Sequence, residues 1–185
     1  ECPFTKKALK LFEFEIDPFV EKSKPIFKKN VLYVKFNKVR PCTFAILPKK
    51  LLIATKFKKI EIQIVDLTYI LYRSVNCFEF VKRNGKTYVI NFLNTPIEDV
   101  IKSMKQVLNS NFTGTQKPVF QTTSFSKFIQ TRNITNEWVS RRMTTFEYLL
   151  QLNFLGGRSY QIVNNYPIFP QLKRDMNDKT TKYKV

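Results

Sequence analysis

The 185-residue chain contains no histidine, which removes Ser-His-Asp and Cys-His nucleophilic sites, HExxH zinc sites and histidine general bases. Glycine occurs four times, at positions 85, 114, 156 and 157, so neither a P-loop nor a GxGxxG phosphate cradle can be written. The three cysteines, Cys2, Cys42 and Cys77, form an odd set without a close pair. That spacing argues against a disulfide framework and a Cys-rich zinc site, and fits a reducing, cytoplasmic setting. No apolar run reaches the length of about 18 residues that suggests a span, and the opening ECPFTKKALK lacks the apolar core of a signal peptide. Acidic residues are scarce, 14 against 32 basic, for a formal charge of +18. Nucleic acid, an anionic membrane and an acidic protein are the partners such a field attracts. These absences lead to the expectation of a non-enzyme without cofactor or metal. The missing initiator Met leads to the expectation of a fragment of something longer.

What is present is enough apolar material, 43% of residues, for one medium domain or two small ones. Charge is concentrated early, +10 over residues 1–60, +2 over 61–120 and +6 over 121–185. From about Val31 to Phe92 the chain reads as a meander of strands: VLYVKF at 31–36, TFAIL at 43–47, LLIATKF at 51–57 and IEIQIV at 60–65. CFEFVKR, Asn84-Gly85 and KTYVINF predict a hairpin with a two-residue type I′ turn, because both central positions of that turn need positive φ. A helix follows at about 96–108, with Thr95 as cap, Pro96 in the first turn and Glu98 closing a capping box. Ile97, Val100, Ile101, Met104, Val107 and Leu108 form its apolar stripe.

Composition marks five segments: a leader at 1–30, a domain at 31–110, a polar linker at 111–123, a mainly helical and irregular segment at 124–176, and a charged tail at 177–185, expected to be disordered. In the leader, Glu13, Glu15 and Asp17 line one face of an alternating stretch, which reads as a solvated face rather than a cation site. Late in the chain, Thr144 and Glu147 predict a capping box, Met143 and Tyr148 a hydrophobic staple, and Gly156-Gly157 a positive-φ stop. Phe146, Tyr148, Leu149, Leu150, Leu152 and Leu155 make this helix apolar over more than one stripe, so burial on several sides is expected.

Residues 138–172, WVSRRMTTFEYLLQLNFLGGRSYQIVNNYPIFPQL, resemble the opening of a BEACH domain. That pattern runs W, then R or G three places on, an S/T-N/T-F-x-Y-L helix, LN, a small residue with GRS, and YPVFPW. Trp138, Arg141, Thr144, Phe146, Tyr148, Leu149, Leu152, Asn153, Gly157, Arg158, Ser159, Tyr160, Tyr166, Pro167, Phe169 and Pro170 fall on it. Gln161-Ile162-Val163 stands where Asn-Asp-Leu is usual and Gln171 where Trp is usual, and the match ends near Leu172. BEACH domains are typically preceded by a divergent pleckstrin-homology-like (PH-like) domain, and residues 31–108 are similar to it in element order. The resemblance implies an α+β chain: a PH-like antiparallel β-barrel capped by a C-terminal helix, then a partial BEACH segment docked against it. It implies a non-enzymatic scaffold of vesicle or lysosomal traffic that binds protein partners, cytoplasmic and peripheral on vesicle or endolysosomal membranes.

On that reading Trp138, Arg141, Arg158, Tyr160 and Glu79 are candidates for a domain interface or partner groove. The competing reading is that they hold the fold, with the Arg of GRS bonding carbonyls or a carboxylate. Lys35, Lys38 and Arg40, spaced K-x-x-K-x-R, resemble the basic cluster with which PH domains hold lipid headgroups. The alternative function is therefore a PH-like module drawn to anionic membrane. Specific nucleic-acid binding ranks below both, because the 18 Phe mostly fall at core positions rather than on a stacking face.

Overall fold

The computed structural model describes residues 24–36, 38–74, 76–93, 95–113, 117–122, 128, 133–170, 173–174 and 183–184. The alternating stretch of the leader, with Glu13, Glu15 and Asp17, and most of the tail lie outside them. The chain divides into two compact units, Glu1–Thr131 and Arg132–Val185.

The first unit is α+β. Seven antiparallel strands, β1 (Phe27–Lys35), β2 (Lys38–Ile46), β3 (Lys50–Ala54), β4 (Lys59–Gln63), β5 (Leu67–Ser74), β6 (Cys77–Lys82) and β7 (Thr87–Asn91), precede one helix, α1 (Ile97–Asn111). Two residues of the segment read as a linker, Val119–Phe120, form β8 and pair in parallel with β5. Strand order is β4-β3-β2-β1-β7-β6-β5-β8. Strands then a helix is the expected sequence of elements, but the expected closed barrel is not seen. The sheet is open, with β4 at one edge and β8 covering the other.

The core explains why these strands form. Phe44, Ile46, Leu51, Ile53, Ile62, Ile70, Phe78, Phe80, Ile90 and Phe92 alternate onto one face and are almost entirely buried. Phe44 meets Phe92 edge to face, with centroids 5.3 Å apart, and stacks on Phe80 at 5.6 Å. The stripe predicted on α1 covers this face: Val100, Met104, Val107 and Leu108 are buried, and Ile97 and Ile101 pack at its margin. Asn111 at the helix end donates from Nδ2 to the Pro48 carbonyl (2.6 Å), fastening the helix to the β2–β3 turn.

Three local expectations are corrected. β1 begins at Phe27 rather than Val31, because Phe27 also belongs to the core, edge-on to Phe92 at 6.2 Å. The Asn84-Gly85 turn is not type I′, since only Gly85 takes positive φ (78°). Lys82 N–H bonds the Lys86 carbonyl (2.8 Å) and Gly85 N–H the Lys82 carbonyl (2.9 Å), which makes a three-residue loop with Gly at its left-handed position. Asn84 stays right-handed and uses its Oδ1 to accept from Lys86 N–H (3.1 Å). Thr95 does not cap α1: the N-cap is Pro96, with no side-chain cap bond, one place later than the predicted box requires.

Part of the second face of the sheet is withdrawn from water as well, while Lys59, Glu61 and Gln63 of β4 stay exposed. Ala45, Leu47, Leu52 and Ala54 form a second cluster behind β2 and β3. On β5–β7 the outward positions Leu71, Glu79, Val81 and Thr87 are buried as well. Among the described residues no helix is long and apolar enough to cross a membrane.

The second unit contains α2 (Ile134–Val139) and α3 (Thr145–Leu155). After them, Lys173–Arg174 pairs with Tyr183–Lys184 as the short antiparallel strands β9 and β10.

Candidate functional site

The BEACH-like motif residues are held by a succession of local devices in the second unit. Asn133 caps α2, its Oδ1 accepting from Asn136 N–H (3.1 Å). The helix then stops in a Schellman turn: Arg141 N–H bonds the Trp138 carbonyl and Arg142 N–H the Glu137 carbonyl, both at 2.9 Å. Arg141 occupies the left-handed position, φ 58°, where glycine is the unstrained choice. The alternation of Arg and Gly at this place in the BEACH pattern thus has a backbone reason.

The predicted capping box on α3 is present. Thr144 Oγ1 accepts from Glu147 N–H (3.2 Å), and Glu147 Oε2 accepts from Thr144 N–H (3.0 Å) and hydroxyl (2.8 Å). Those two donors, the backbone one first, hold the Glu147 carboxyl below the usual range. At its other end α3 closes in a second Schellman turn. Gly157 takes φ 85°, its N–H bonds the Phe154 carbonyl (3.1 Å), and Arg158 N–H bonds the Asn153 carbonyl (3.0 Å).

The expectation of burial around several sides of α3 is corrected. Gln151, Phe154 and Leu155, spaced i, i+3, i+4, form its buried face, while Phe146 is exposed. Phe146 is not idle, because its ring stacks on Phe169 of the YPIFP segment at 5.2 Å and 12°. That extended segment is tied to the helix mainly by Asn153, whose Nδ2 donates to the Ile168 carbonyl (2.8 Å) and whose Oδ1 accepts from Ile168 N–H (2.8 Å). One side-chain amide thereby imitates a strand pairing. Asn165 adds a bond from Nδ2 to the Gly157 carbonyl (3.1 Å), and Ser159, fully buried, has its N–H on the Asn165 carbonyl (2.9 Å). Asn153 and Ser159 carry more of this architecture than the candidates picked by type. The signal was available as the LN and GRS elements of the motif.

Within the second unit the groove candidates fall at two places. Trp138 and Arg141 come together at an open groove of about 530 Å³, also lined by Val139, Arg142, Met143 and Glu147. Trp138 stacks on Tyr148 (4.7 Å, 4°) and donates from Nε1 to Thr145 Oγ1 (3.1 Å). Arg158 and Tyr160 lie apart from that groove, beyond the other end of α3. Arg158 donates from Nη1 to the Tyr166 carbonyl (3.1 Å), and Tyr160 packs edge-on to Phe154 (5.5 Å) and Tyr166 (5.2 Å). Burial, then the neighbouring Tyr166, pushes the Tyr160 phenol above its ordinary pKa.

Glu79 sits in the first unit on β6, with no exposed surface, and accepts from Arg73 Nε and Nη2 at 2.6 Å each. Lys35 and Lys38 face each other as the last pair of the β1–β2 ladder, and Arg40 lies opposite Tyr33. Burial pushes the Cys42 thiol up to about 12, which leaves it protonated and unreactive at neutral pH. Among the described residues no group of three His, Cys, Asp or Glu side chains is arranged to hold a metal ion.

The Beige/BEACH domain family profile matches residues 136–184. A BEACH domain-containing protein of Dictyostelium discoideum, lvsE, is 42% identical over 50 residues, covering 27% of this chain and 2% of the relative. The human lysosomal-trafficking regulator is 29% identical over 105 residues, covering 57% of this chain and 2% of that protein. The chain thus spans only a small part of the relatives it matches. The solution structure of the N-terminal PH domain of human ARAP2 superposes with a TM-score of 0.43 at 14% identity, covering 53% of this chain and 91% of that one. Through the segment that runs from Asn136 across both Schellman turns and the YPIFP clasp, the chain is similar to the BEACH-domain family.

Proposed function

We propose that this chain is a non-enzymatic part of a protein of vesicle or lysosomal traffic, acting as a scaffold through protein contacts. The observation that carries the reading is the BEACH match over residues 136–184, shared with a relative named for lysosomal trafficking. Within that segment the groove beside Trp138 and Arg141 is the partner site. A large aromatic ring next to two exposed guanidiniums, Arg141 and Arg142, is the composition that concentrates binding energy in protein interfaces.

Arg141→Gly separates binding from folding, because glycine suits the left-handed turn and removes only the guanidinium. In the native protein this variant is expected to keep its abundance and melting temperature while altering the size or distribution of lysosomes or transport vesicles. Organelles unchanged by both Arg141→Gly and deletion of residues 136–184 would overturn the trafficking reading. A second reading, weak attachment to anionic membrane, is favoured by the facing Lys35 and Lys38 at one hairpin tip.

A further inference from the structure

The turn between α2 and α3 carries the run Arg141-Arg142-Met143-Thr144, which sets two guanidiniums shortly before a hydroxyl. Arg141, Arg142 and Thr144 are all exposed. Neither guanidinium is spent on neutralising the fold. Among the described residues no ion pair forms at Arg141 or Arg142, and Arg142 directs its Nε to Ser140 Oγ (3.1 Å). Glu147, the acidic residue of the same groove, has its Oε2 turned onto the Thr144 amide and hydroxyl.

Of the hydroxyls along this turn, Thr144 is the accessible one. Ser140 precedes the arginines and donates into α2, to the Asn136 carbonyl (2.6 Å). Thr145 already belongs to α3 and accepts from Trp138 Nε1 (3.1 Å). Thr144 stands before the helix with extended backbone, φ −71° and ψ 156°, the shape in which a peptide lies in a recognition cleft. Its neighbours yield readily to such a cleft. Arg141 would leave a left-handed conformation, φ 58°, that L residues hold at a penalty, and the first turn of α3 frays for the loss of one cap.

We infer that Thr144 is a phosphorylation site, read by a Ser/Thr kinase whose acidic substrate cleft takes Arg141 and Arg142. The γ-phosphoryl group of ATP passes to Thr144 Oγ1: the Oγ1–P bond forms, the bond to the ADP oxygen breaks, and the hydroxyl proton goes to the base of the kinase. The product acts as a switch because this hydroxyl is part of the capping box. Once phosphorylated, Oγ1 has no proton to give Glu147 Oε2, and a group of about −2 charge at neutral pH stands against that carboxylate. Glu147 is displaced, and the phosphate takes the two guanidiniums. The groove, in which two arginines outweigh one glutamate, then changes sign. The inference does not depend on the groove having a protein partner, and its test uses none.

The test has two samples, the full folded chain incubated with an arginine-directed Ser/Thr kinase and Mg-ATP, and the native protein isolated with phosphatases inhibited. Fragment mass spectrometry is expected to find one phosphate, on Thr144, in each. Arg141→Gly/Arg142→Gln should slow its incorporation about tenfold with unchanged thermal melting. The Glu147 carboxyl, held below its ordinary range in the unmodified chain, should titrate above that range by NMR once Thr144 is phosphorylated. Phosphate on Ser140 or Thr145 in place of Thr144, or none on the folded chain while the denatured chain is modified, overturns the site. Its absence from the native protein overturns it too. Incorporation at Thr144 that ignores both arginines overturns the kinase class, and a Glu147 titration that does not move overturns the switch.

Discussion

The two units reach order by different routes. The first is an apolar construction: four phenylalanines, Phe44, Phe78, Phe80 and Phe92, interlock at the centre of a sheet with a helix laid over them. Among its described residues the second buries few large side chains, Ile134, Phe154 and Leu155 among them. Its shape depends on caps, left-handed turns and one asparagine that stands in for a strand. The first tolerates variation at any position that keeps volume and period, whereas the second needs particular residues at particular places. The family profile matches the second of these constructions, over residues 136–184.

The contrast can be broken most severely in the sheet. Phe92→Ala removes a ring that touches Phe27, Phe44 and Phe78 and is expected to cost roughly 3–5 kcal/mol, read as a lowered denaturation midpoint of the first unit. A change comparable to a surface substitution would mean that the core is not packed as described. Glu79→Ala tests the exception within the apolar unit. It removes the carboxylate that faces the mostly buried Arg73 guanidinium at a cost of about 3 kcal/mol, and Arg73→Met/Glu79→Leu should restore much of the loss. If the double variant is worse than the single, the pair is worth more than its desolvation.

In the second unit Thr144→Ala should cost about 1 kcal/mol and should be felt in hydrogen exchange of α3 rather than in the sheet. The same box gives the smallest effect, in pH. Because the folded Glu147 carboxyl titrates below its ordinary value, its stabilisation is complete above the unfolded pKa and fades as pH falls through the folded one. At this exposed position the loss is about a few tenths of a kcal/mol. A pH titration that is identical in wild type and Glu147→Gln would contradict the assignment.

Alternation and helical period made the strands, α1 and its buried stripe legible, as spacing made the Thr144 box and the Gly157 stop legible. Glu79 was not readable as a buried group, since in CFEFVK it falls where an alternating strand faces water. The three-dimensional placement of Arg73, six residues earlier, pairs its charge. The three-residue turn at Gly85 escaped for a similar reason: Asn84-Gly85 suits two turn types, and the pairing of Lys82 with Lys86 decides between them. Openness of the sheet depends on the edge pairing of β8, two residues inside a polar stretch that carries no strand period. Residue type alone did not show which site candidates lie side by side: Trp138 and Arg141 line one groove, and Arg158 and Tyr160 lie beyond the other end of α3. Arg158 donates to the Tyr166 carbonyl and Arg141 occupies a helix stop, while Asn153 was legible as a motif residue but not as the clasp of the YPIFP segment.

The central claim, that the BEACH segment is held by side-chain-to-backbone clasps rather than by an apolar core, is tested most directly by amide hydrogen exchange on Asn153→Ala. The account predicts that protection of the Ile168 amide is lost and that of α3 is reduced, for a destabilisation of about 3 kcal/mol from three bonds, two with Ile168 and one to the Leu149 carbonyl, with the β1–β7 amides unchanged. Retained protection at Ile168 in that variant would contradict it.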